Sequence, residues 1–178
     1  MKVIILAVAL SLQVSHVTTF YIVRHAEKVD NSDNPSLSRP GKERSFTLKN
    51  LLKNKGIDNI FVSNFLRTQQ TAGYLARSLH ITPKKYQNTD EGNEILVRKL
   101  VSFTGNHSIL IVGHTNNIPA IIDSLMGSQQ HIVIAENDFD NMYIITIKKW
   151  CTHKKKIKSD HLWESVTLTL NYCHKILL

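Results

Sequence analysis

The sequence predicts an α/β protein, a three-layer α/β/α sandwich with a mostly parallel central sheet. Apolar runs rich in β-favouring residues alternate with helix-like stretches over most of the chain, which is typical of this class. Three of the apolar runs stop abruptly at basic or polar residues, as strands do when their carboxyl ends face a ligand crevice. The 178 residues, 42% of them hydrophobic, suffice for one core and would make two domains cramped.

The alternation predicts nine elements in order along the chain. We expect strands at 19–23, 59–63, 84–87, 108–112 and 142–147, with helices near 38–55, 65–79, 92–104 and 118–126. Gly56 closes the first predicted helix, and Pro119 fits the first turn of the last one. We expect Asn116 and Asn117 to cap that last helix, and residues 138–141 to form a turn.

The first predicted strand ends in the pair Arg24-His25. A fixed cation beside an imidazole suggests an anion held against a nucleophile or a proton carrier. Alone, an arginine after a strand is ordinarily a solvated surface group, so the pair gains weight only from the other strand ends.

Two later strand ends supply similar residues. The run 59–63 leads through a polar turn into a helix with Arg67 near its amino end, a position favourable for an anion. The run 108–112 stops at Gly113-His114, although a single histidine there could equally be a satisfied loop residue. Together the three ends offer two arginines and two histidines, a set that could surround one phosphate.

These motifs resemble those of the histidine phosphatase superfamily (branch 1), which also contains the phosphoglycerate mutases. The matching segments are Arg24-His25-Ala26-Glu27, Leu37-Ser38-x2-Gly41-x2-Arg44, Ser63-x3-Arg67-Thr68-x2-Thr71-Ala72 and Gly113-His114-Thr115-Asn116. The resemblance runs from about Phe20 to Thr146 and is to small exported members. Ala26 departs from the pattern, since glycine is commoner there.

The resemblance implies a phosphomonoesterase in which His25 is the nucleophile and becomes phosphorylated on a ring nitrogen. Arg24, Arg67 and His114 would bind the phosphate, Asn116 could also reach the substrate, and no metal or other cofactor is required. Attack needs a neutral imidazole, and we expect the nearby arginines to lower the pKa of His25. We expect Glu27 to form a structural ion pair or to cap a turn, and to take no part in the chemistry.

The general acid has several candidates, Asp90, Glu91 and Glu94. The resemblance favours Asp90. The alternative is that Asp90 caps a helix beginning near Gly92, a common position for aspartate.

Three function classes compete: a phosphohydrolase, a phosphoglycerate-type phosphomutase and a non-catalytic phosphate-binding module. Mutases usually carry a long insertion after the second arginine helix, and here only 37 positions separate Thr71 from Ile109. The presence of His25 argues against the binding module. The expected substrate is a small phosphorylated molecule, with a phosphosugar suggested by analogy to small exported relatives.

The amino terminus predicts a signal peptide at 1–16, followed by a catalytic domain at 17–147. Lys2 precedes an apolar run at 3–12 that is too short to span a bilayer and fits a signal h-region. The mature protein would then be periplasmic or extracellular, without stable membrane insertion. The alternative is that this run is a buried strand and the protein is cytoplasmic.

The basic segment 148–178 holds seven lysines against Asp160 and Glu164, which gives +5 of the formal +8. The cluster Lys154-Lys155-Lys156 could contact nucleic acid or anionic lipid, but such runs are usually solvated loops, so we expect no specific nucleic-acid partner. Residues 167–170 could form an edge strand.

Both cysteines, Cys151 and Cys173, lie in this basic segment. In an exported protein they could form one disulfide, and free thiols are the alternative. With His153 and His161 they show no familiar zinc spacing.

Overall fold

The computed structural model describes residues 13–152 and 167–177. The strands are β1 (Gln13–Arg24), β2 (Asn59–Ser63), β3 (Lys84–Tyr86), β4 (His107–Gly113), β5 (Asn141–Thr152) and β6 (Thr167–Leu177). The helices are α1 (Arg39–Leu52), α2 (Leu66–Ser78), α3 (Asp90–Val101) and α4 (Ile118–Met126). Most of the predicted signal peptide and the cluster Lys154-Lys155-Lys156 lie outside the described residues.

One six-stranded sheet, in the order β3-β2-β4-β1-β5-β6, organises these elements. The pairs β3-β2, β2-β4 and β4-β1 are parallel, whereas β1-β5 and β5-β6 are antiparallel. The predicted fold class, an α/β sandwich with a mostly parallel sheet, is confirmed.

Strand β4 shows why the sheet is covered on both faces. Its apolar run is continuous, so Ile109 and Ile111 enter the core under α3 and α4, while Leu110 and Val112 enter the core under α1 and α2. All four side chains have 0% exposure. Burying each contributes about 1.5–3 kcal/mol relative to an exposed side chain, so the central strands fix the three layers firmly.

The outer part of β1 differs from the prediction. This strand begins at Gln13 instead of residue 19, because β5 runs on to Thr152 and pairs with β1 along its whole length, with Gln13 opposite Thr152. Residues 13–16, counted above in the signal peptide, are therefore part of the β1-β5 ladder.

The helix ends are set by side-chain caps. Ser38 accepts a hydrogen bond from the Gly41 N–H at 3.2 Å and starts α1, which ends at Leu52, before the predicted residue 55. Thr89 accepts from the Gly92 N–H at 3.1 Å and starts α3. Asp90 is the first residue of that helix, so the hypothesis that Asp90 is its cap is wrong.

The register of β5 and β6 places the backbones of Cys151 and Cys173 far apart. Cys151 lies opposite Thr167, and Cys173 lies opposite Ile145. The two cysteines are thus six register positions apart, about 20 Å at the rise of a strand, whereas a disulfide needs Cα atoms within about 7 Å.

None of the helices in the described part of the chain is long and apolar enough to cross a bilayer. The same residues contain no group of three or more histidine, cysteine or acidic side chains placed to hold a metal ion. His153 and His161, which the sequence analysis considered together with the two cysteines as zinc ligands, lie outside the described residues.

Candidate functional site

The parallel strands bring three chain segments to one edge of the sheet. Arg24 at the end of β1 lies opposite Gly113 at the end of β4, and the His25 N–H donates to the Gly113 carbonyl at 2.9 Å. On the other side of β4, Val62 lies opposite Val112, which places Ser63 at the same edge. The residues that follow these three ends therefore share one crevice.

His25 is held in one tautomer. Its side chain is buried, and Nδ1 lies 2.8 Å from the Ala26 carbonyl oxygen. A carbonyl only accepts, so Nδ1 carries the hydrogen and Nε2 presents a lone pair. The Ala26 N–H in turn donates to the Thr71 hydroxyl at 2.9 Å, and that hydroxyl donates to the Arg67 carbonyl at 2.7 Å. The loop after β1 is thereby fastened to α2.

The pKa of His25 is lowered to about 4. Burial is the main cause, and the charges of Arg67 and Arg24 lower the pKa further, against the opposing effect of the hydrogen bond to Ala26. The predicted direction is confirmed, but desolvation outweighs the arginine charges that the sequence suggested as the cause. The imidazole is neutral near pH 7.

The guanidinium of Arg24 is fixed by the segment that precedes β5. Nη1 donates to the carbonyl oxygens of Ala135 and Glu136, each at 2.8 Å, and Nη2 donates to the Glu136 carboxylate at 3.1 Å. The ring of Phe139 covers the guanidinium, with its centroid 4.3 Å from Cζ. The sequence indicated only a turn at 138–141, so this support for Arg24 was missed.

Arg67 lies in the first turn of α2, as predicted. Its Cζ is 4.2 Å from the centroid of the Phe65 ring, and its Nη2 lies 3.4 Å from Nδ1 of His114. The pKa of Arg67 is lowered by burial and by the charge of Arg24. Two like charges are therefore close enough to affect each other at this site.

His114 completes the cluster. Its ring centroid lies 5.2 Å from that of His25, and its Nε2 lies 2.8 Å from the Ser63 hydroxyl. Burial first, and then the charges of His25, Arg67 and Arg24, lower the pKa of His114 to about 3. The structure thus brings together all four residues that the sequence proposed for the phosphate site, Arg24, His25, Arg67 and His114.

Both arginines of this cluster keep a buried N–H group without a partner. Among the described residues, only Arg24, Arg67 and Asn141 have buried side-chain nitrogen or oxygen atoms lacking a hydrogen bond, the Nε atom in each arginine and both amide atoms in Asn141. Such a group costs about 1–3 kcal/mol, and more when it is charged, unless a ligand satisfies it. Two unpaired guanidinium donors in one buried cluster indicate an anion-binding site.

Asn141 was missed because the sequence placed it in a turn. It starts β5, and the register that sets Val23 opposite Met142 makes Asn141 the cross-strand neighbour of Arg24. Its side chain is 4% exposed. An unpartnered amide beside Arg24 extends the polar lining at this edge of the sheet.

Asn117 has a different role from the predicted one. It occupies the N-cap position of α4 but makes no side-chain capping bond. Instead its Oδ1 accepts from the His114 N–H at 2.8 Å, and its Nδ2 donates to Asn88 at 2.9 Å and to Asn93 at 3.1 Å. Asn117 therefore ties the His114 loop to the segment that leads into α3.

Asp90 and Asn116 line a separate groove of about 370 Å³ between α3 and α4. Glu94 also lines it, whereas none of Arg24, His25, Arg67 and His114 does. Glu94 pairs with Arg98 at 3.7 Å, and Asn116 is exposed. The predicted acid and the predicted accessory ligand thus line the same groove, and none of the four clustered residues lines it.

Glu27 forms the structural ion pair that the sequence predicted. Its carboxylate accepts from Arg44 Nη2 at 2.7 Å, and its backbone carbonyl accepts the N–H of Ser38 at 2.9 Å. This pair joins the loop after His25 to the start of α1.

The buried histidines predict a pH-dependent stability. The folded pKa of His25 is about 4 and the unfolded value about 6.5, so between these values the unfolded chain binds more protons. The free energy of unfolding should therefore fall as pH decreases from 6.5 to 4. His25→Gln should reduce that slope by up to about 1.4 kcal/mol per pH unit, measured by urea unfolding at pH 4.5–6.5. His80→Gln, which removes an exposed imidazole, is the control, and an equal loss of slope in both variants would contradict burial as the cause.

Comparison with known proteins gives a sequence match and a fold match. Residues 20–95 match the model of the histidine phosphatase superfamily (branch 1). A search of curated proteins found no match.

Several solved structures share the fold. The protein histidine phosphatase SixA complexed with tungstate is 20% identical, with a TM-score of 0.55 over 72% of this chain and 86% of that one. A mycobacterial glucosyl-3-phosphoglycerate phosphatase complexed with VO3 is 12% identical, with a TM-score of 0.57 over 76% and 96%. A phosphoserine phosphatase from Entamoeba histolytica, in complex with 3-phosphoglyceric acid, is 14% identical, with a TM-score of 0.52 over 73% and 90%.

The family-model match and the shared fold confirm the predicted resemblance: residues 20–95 carry the sequence pattern of the histidine phosphatase superfamily, branch 1, within a domain that has the fold of solved phosphatases.

Proposed function

We propose that this protein is a phosphomonoesterase that works through a phosphohistidine intermediate on His25. The observation that carries the proposal is the pair of buried, unpartnered Nε–H groups of Arg24 and Arg67 beside a neutral imidazole with a free Nε2 lone pair. A phosphate would satisfy both donors and offer its phosphorus atom to that lone pair.

Phosphate binding would use the guanidinium N–H groups that have no hydrogen-bond partner within the protein. The Nε–H groups of Arg24 and Arg67 would donate to phosphate oxygens, and Nη2 of each arginine could add a second bond. The Glu136 side chain on Arg24 is 88% exposed, so its contact is weak and a phosphate could displace it. The two cations would neutralise the transferred group and fix it in line with His25.

Chemistry would proceed in two displacements. His25 Nε2 attacks phosphorus, the bond to the substrate oxygen breaks, and the alcohol leaves with a proton from a general acid or from solvent. Water then attacks the phosphohistidine, the bond between phosphorus and Nε2 breaks, and inorganic phosphate is released together with neutral His25. Phosphoester hydrolysis needs its barrier lowered by about 20 kcal/mol or more, and each donor aimed at developing charge supplies about 3–4 kcal/mol. The donors of the two arginines and His114 would therefore supply a substantial part of the lowering of the barrier, and the covalent step would supply another part.

Asp90 is our candidate for the general acid. It lines the α3-α4 groove with Asn116, and no ion pair of Asp90 occurs among the described residues, in contrast to Glu94. A leaving group that extends from the phosphate toward this groove would meet both side chains.

The phosphomutase is the alternative, and the structure favours hydrolysis over it. Between α2 and β4 the chain forms β3 and α3, and the joining loops are short. Little chain is left to enclose a doubly phosphorylated intermediate. A non-catalytic phosphate-binding module would not need the free Nε2 of His25.

The substrate class follows from the open site and from what the similar proteins act on. Two structures with this fold are named as phosphatases of glucosyl-3-phosphoglycerate and of phosphoserine. We infer a small phosphorylated substrate, with a phosphosugar as the first class to test. We also infer export, and a cytosolic protein that retains residues 1–16 would contradict it.

The covalent intermediate is tested by acid- and base-quench trapping with a radiolabelled phosphomonoester. The wild type should give an acid-labile, base-stable phosphoprotein, and His25→Ala should give neither this species nor turnover, because the nucleophile is lost. His80→Ala, at an exposed loop histidine, should retain both. Turnover by His25→Ala would refute the mechanism, and transfer of phosphate between substrate hydroxyls would favour the mutase.

The guanidinium contacts are tested by Arg67→Lys, which keeps the charge but lacks the Nε–H group. We expect kcat/KM to fall by about 100- to 1,000-fold, as when one transition-state donor is removed. Arg77→Lys on the same helix is the matched control, since Arg77 also stacks on an aromatic ring, that of Tyr74. Equal activity of Arg67→Lys and wild type would show that charge alone suffices.

The general acid is tested by Asp90→Asn with two substrates. A general acid contributes about 100- to 10,000-fold when the leaving group is a poor one. We expect a loss in this range for an alkyl phosphate and a much smaller loss for a nitrophenyl phosphate. Equal losses on both substrates would count against this role.

A further inference from the structure

We propose that Ser63 is a positioning residue that fixes the tautomer of His114, holding Nε2–H in a buried hydrogen-bond chain and turning Nδ1 toward the phosphate site, where it takes up a proton when phosphate binds. The phosphate part of this inference rests on the proposed function. The tautomer part stands on contacts within the protein alone.

The contact with Arg67 shows which ring nitrogen of His114 carries the hydrogen. Nη2 of Arg67 lies 3.4 Å from Nδ1 of His114, and a guanidinium can only donate. Nδ1 therefore acts as the acceptor and carries no hydrogen. The hydrogen of the neutral ring is on Nε2, which donates to the Ser63 hydroxyl oxygen at 2.8 Å.

The partners of Ser63 lead to the same assignment from the other end. The Thr68 hydroxyl lies 2.8 Å from the Phe65 carbonyl oxygen, to which it can only donate. It must then accept from the Ser63 hydroxyl, 2.9 Å away. Since Ser63 gives its hydrogen to Thr68, its oxygen is left to accept from His114 Nε2 and from the Phe65 N–H at 3.3 Å.

Burial makes this chain of hydrogen bonds costly to reverse. Ser63 and Thr68 both have 0% exposure, and His114 has 4%. Turning the Ser63 hydroxyl toward His114 would leave the oxygens of Ser63 and Thr68 facing each other without a hydrogen. If the Thr68 hydroxyl turned to fill that gap, the Phe65 carbonyl would keep only the longer bond from the Gln69 N–H, at 3.3 Å. A buried polar group that loses its partner is costly, and this cost selects one tautomer of His114.

The charges of the protein around His114 explain why Nδ1 is unprotonated before an anion binds. Arg67 faces it from α2, Arg24 and His25 approach from the end of β1, and the Phe65 ring lies edge-on with its centroid 5.4 Å away. Near pH 7 His25 is neutral, and the charged groups Arg67 and Arg24 are both cations, so together with burial they disfavour the imidazolium of His114. A bound phosphate dianion reverses this local field.

Phosphate binding would therefore protonate Nδ1 of His114, while Nε2–H of the same ring keeps its hydrogen bond to the Ser63 hydroxyl. His114 becomes an imidazolium whose Nδ1–H donates to a phosphate oxygen, and the proton comes from solvent. Without the Ser63 hydroxyl, Nε2–H of His114 loses its acceptor. The ring is then no longer held in the orientation that turns Nδ1 toward the phosphate site.

The test begins with the wild-type protein, so that it does not depend on a variant folding. Nitrogen chemical shifts of the ¹⁵N-labelled histidines in the phosphate-free protein should show the Nε2–H tautomer for His114. An Nδ1–H tautomer would overturn the proposal. Titration calorimetry with inorganic phosphate at pH 8, where the free anion is already mostly the dianion, should then show net proton uptake when two buffers of different ionisation enthalpy are compared.

Variants test whether Ser63 is the cause. Ser63→Ala should give mixed His114 tautomers, lose the proton uptake and lower kcat/KM about tenfold, the value of one hydrogen bond. Ser45→Ala is the matched control, because Ser45 is also buried but donates to the Gln70 and Thr71 carbonyls. It should keep the wild-type tautomer. If Ser63→Ala keeps it too, Ser63 is not the positioning residue.

The same measurements separate this inference from the proposed function. Failure to bind phosphate would refute the proposed function and, with it, the proton uptake. The tautomer of His114 could still be measured from the nitrogen chemical shifts of the phosphate-free protein. Normal phosphate binding without proton uptake would refute the protonation of His114 and leave the phosphatase proposal intact.

Discussion

The parallel pairing of β1 with β4 is the constraint on which the site depends. It sets Arg24 opposite Gly113 and joins the two strand ends by the hydrogen bond from the His25 N–H to the Gly113 carbonyl, at 2.9 Å. The two imidazoles that follow are thereby brought to a centroid distance of 5.2 Å. A register shift of one residue would turn the Arg24 side chain to the opposite face of the sheet, and the cluster would be lost.

Burial then determines the chemistry of the residues brought together. The pKa of His25 is lowered to about 4 and that of His114 to about 3, with desolvation as the largest cause in both. Both rings are neutral near pH 7, and in the proposed mechanism the two arginines attract the anion and the lone pair of His25 Nε2 attacks it. The buried Nε–H groups of Arg24 and Arg67 have no partner within the protein, which is costly, and a bound anion would satisfy them.

Much of the fold could be predicted because each inner strand is marked by a short apolar run in the sequence. Strand β2 and helix α4 begin and end at the predicted residues, since apolar runs buried on both faces are visible in the sequence itself. The first six residues of β1 were missed because their pairing with β5 involves residues more than a hundred positions away. The four central site residues were recognisable because each follows a strand end or starts a helix.

The supporting residues could not be predicted in the same way. Arg24 is held by the carbonyl of Ala135, 111 positions along the chain, and nothing in the local pattern around either residue indicates that contact. Ser63 and Asn117 appeared as the end of a strand and the cap of a helix, and only the folded chain shows that they hold the His114 ring and backbone.

The central claim is that two guanidinium groups and two imidazoles bind one tetrahedral anion. A crystal structure of the protein soaked with orthovanadate tests it most directly. We predict vanadium bonded to Nε2 of His25, with its oxygens within hydrogen-bonding distance of Nε of Arg24, Nε of Arg67 and Nδ1 of His114. Vanadate bound elsewhere, or contacting His25 without either arginine, would contradict the account.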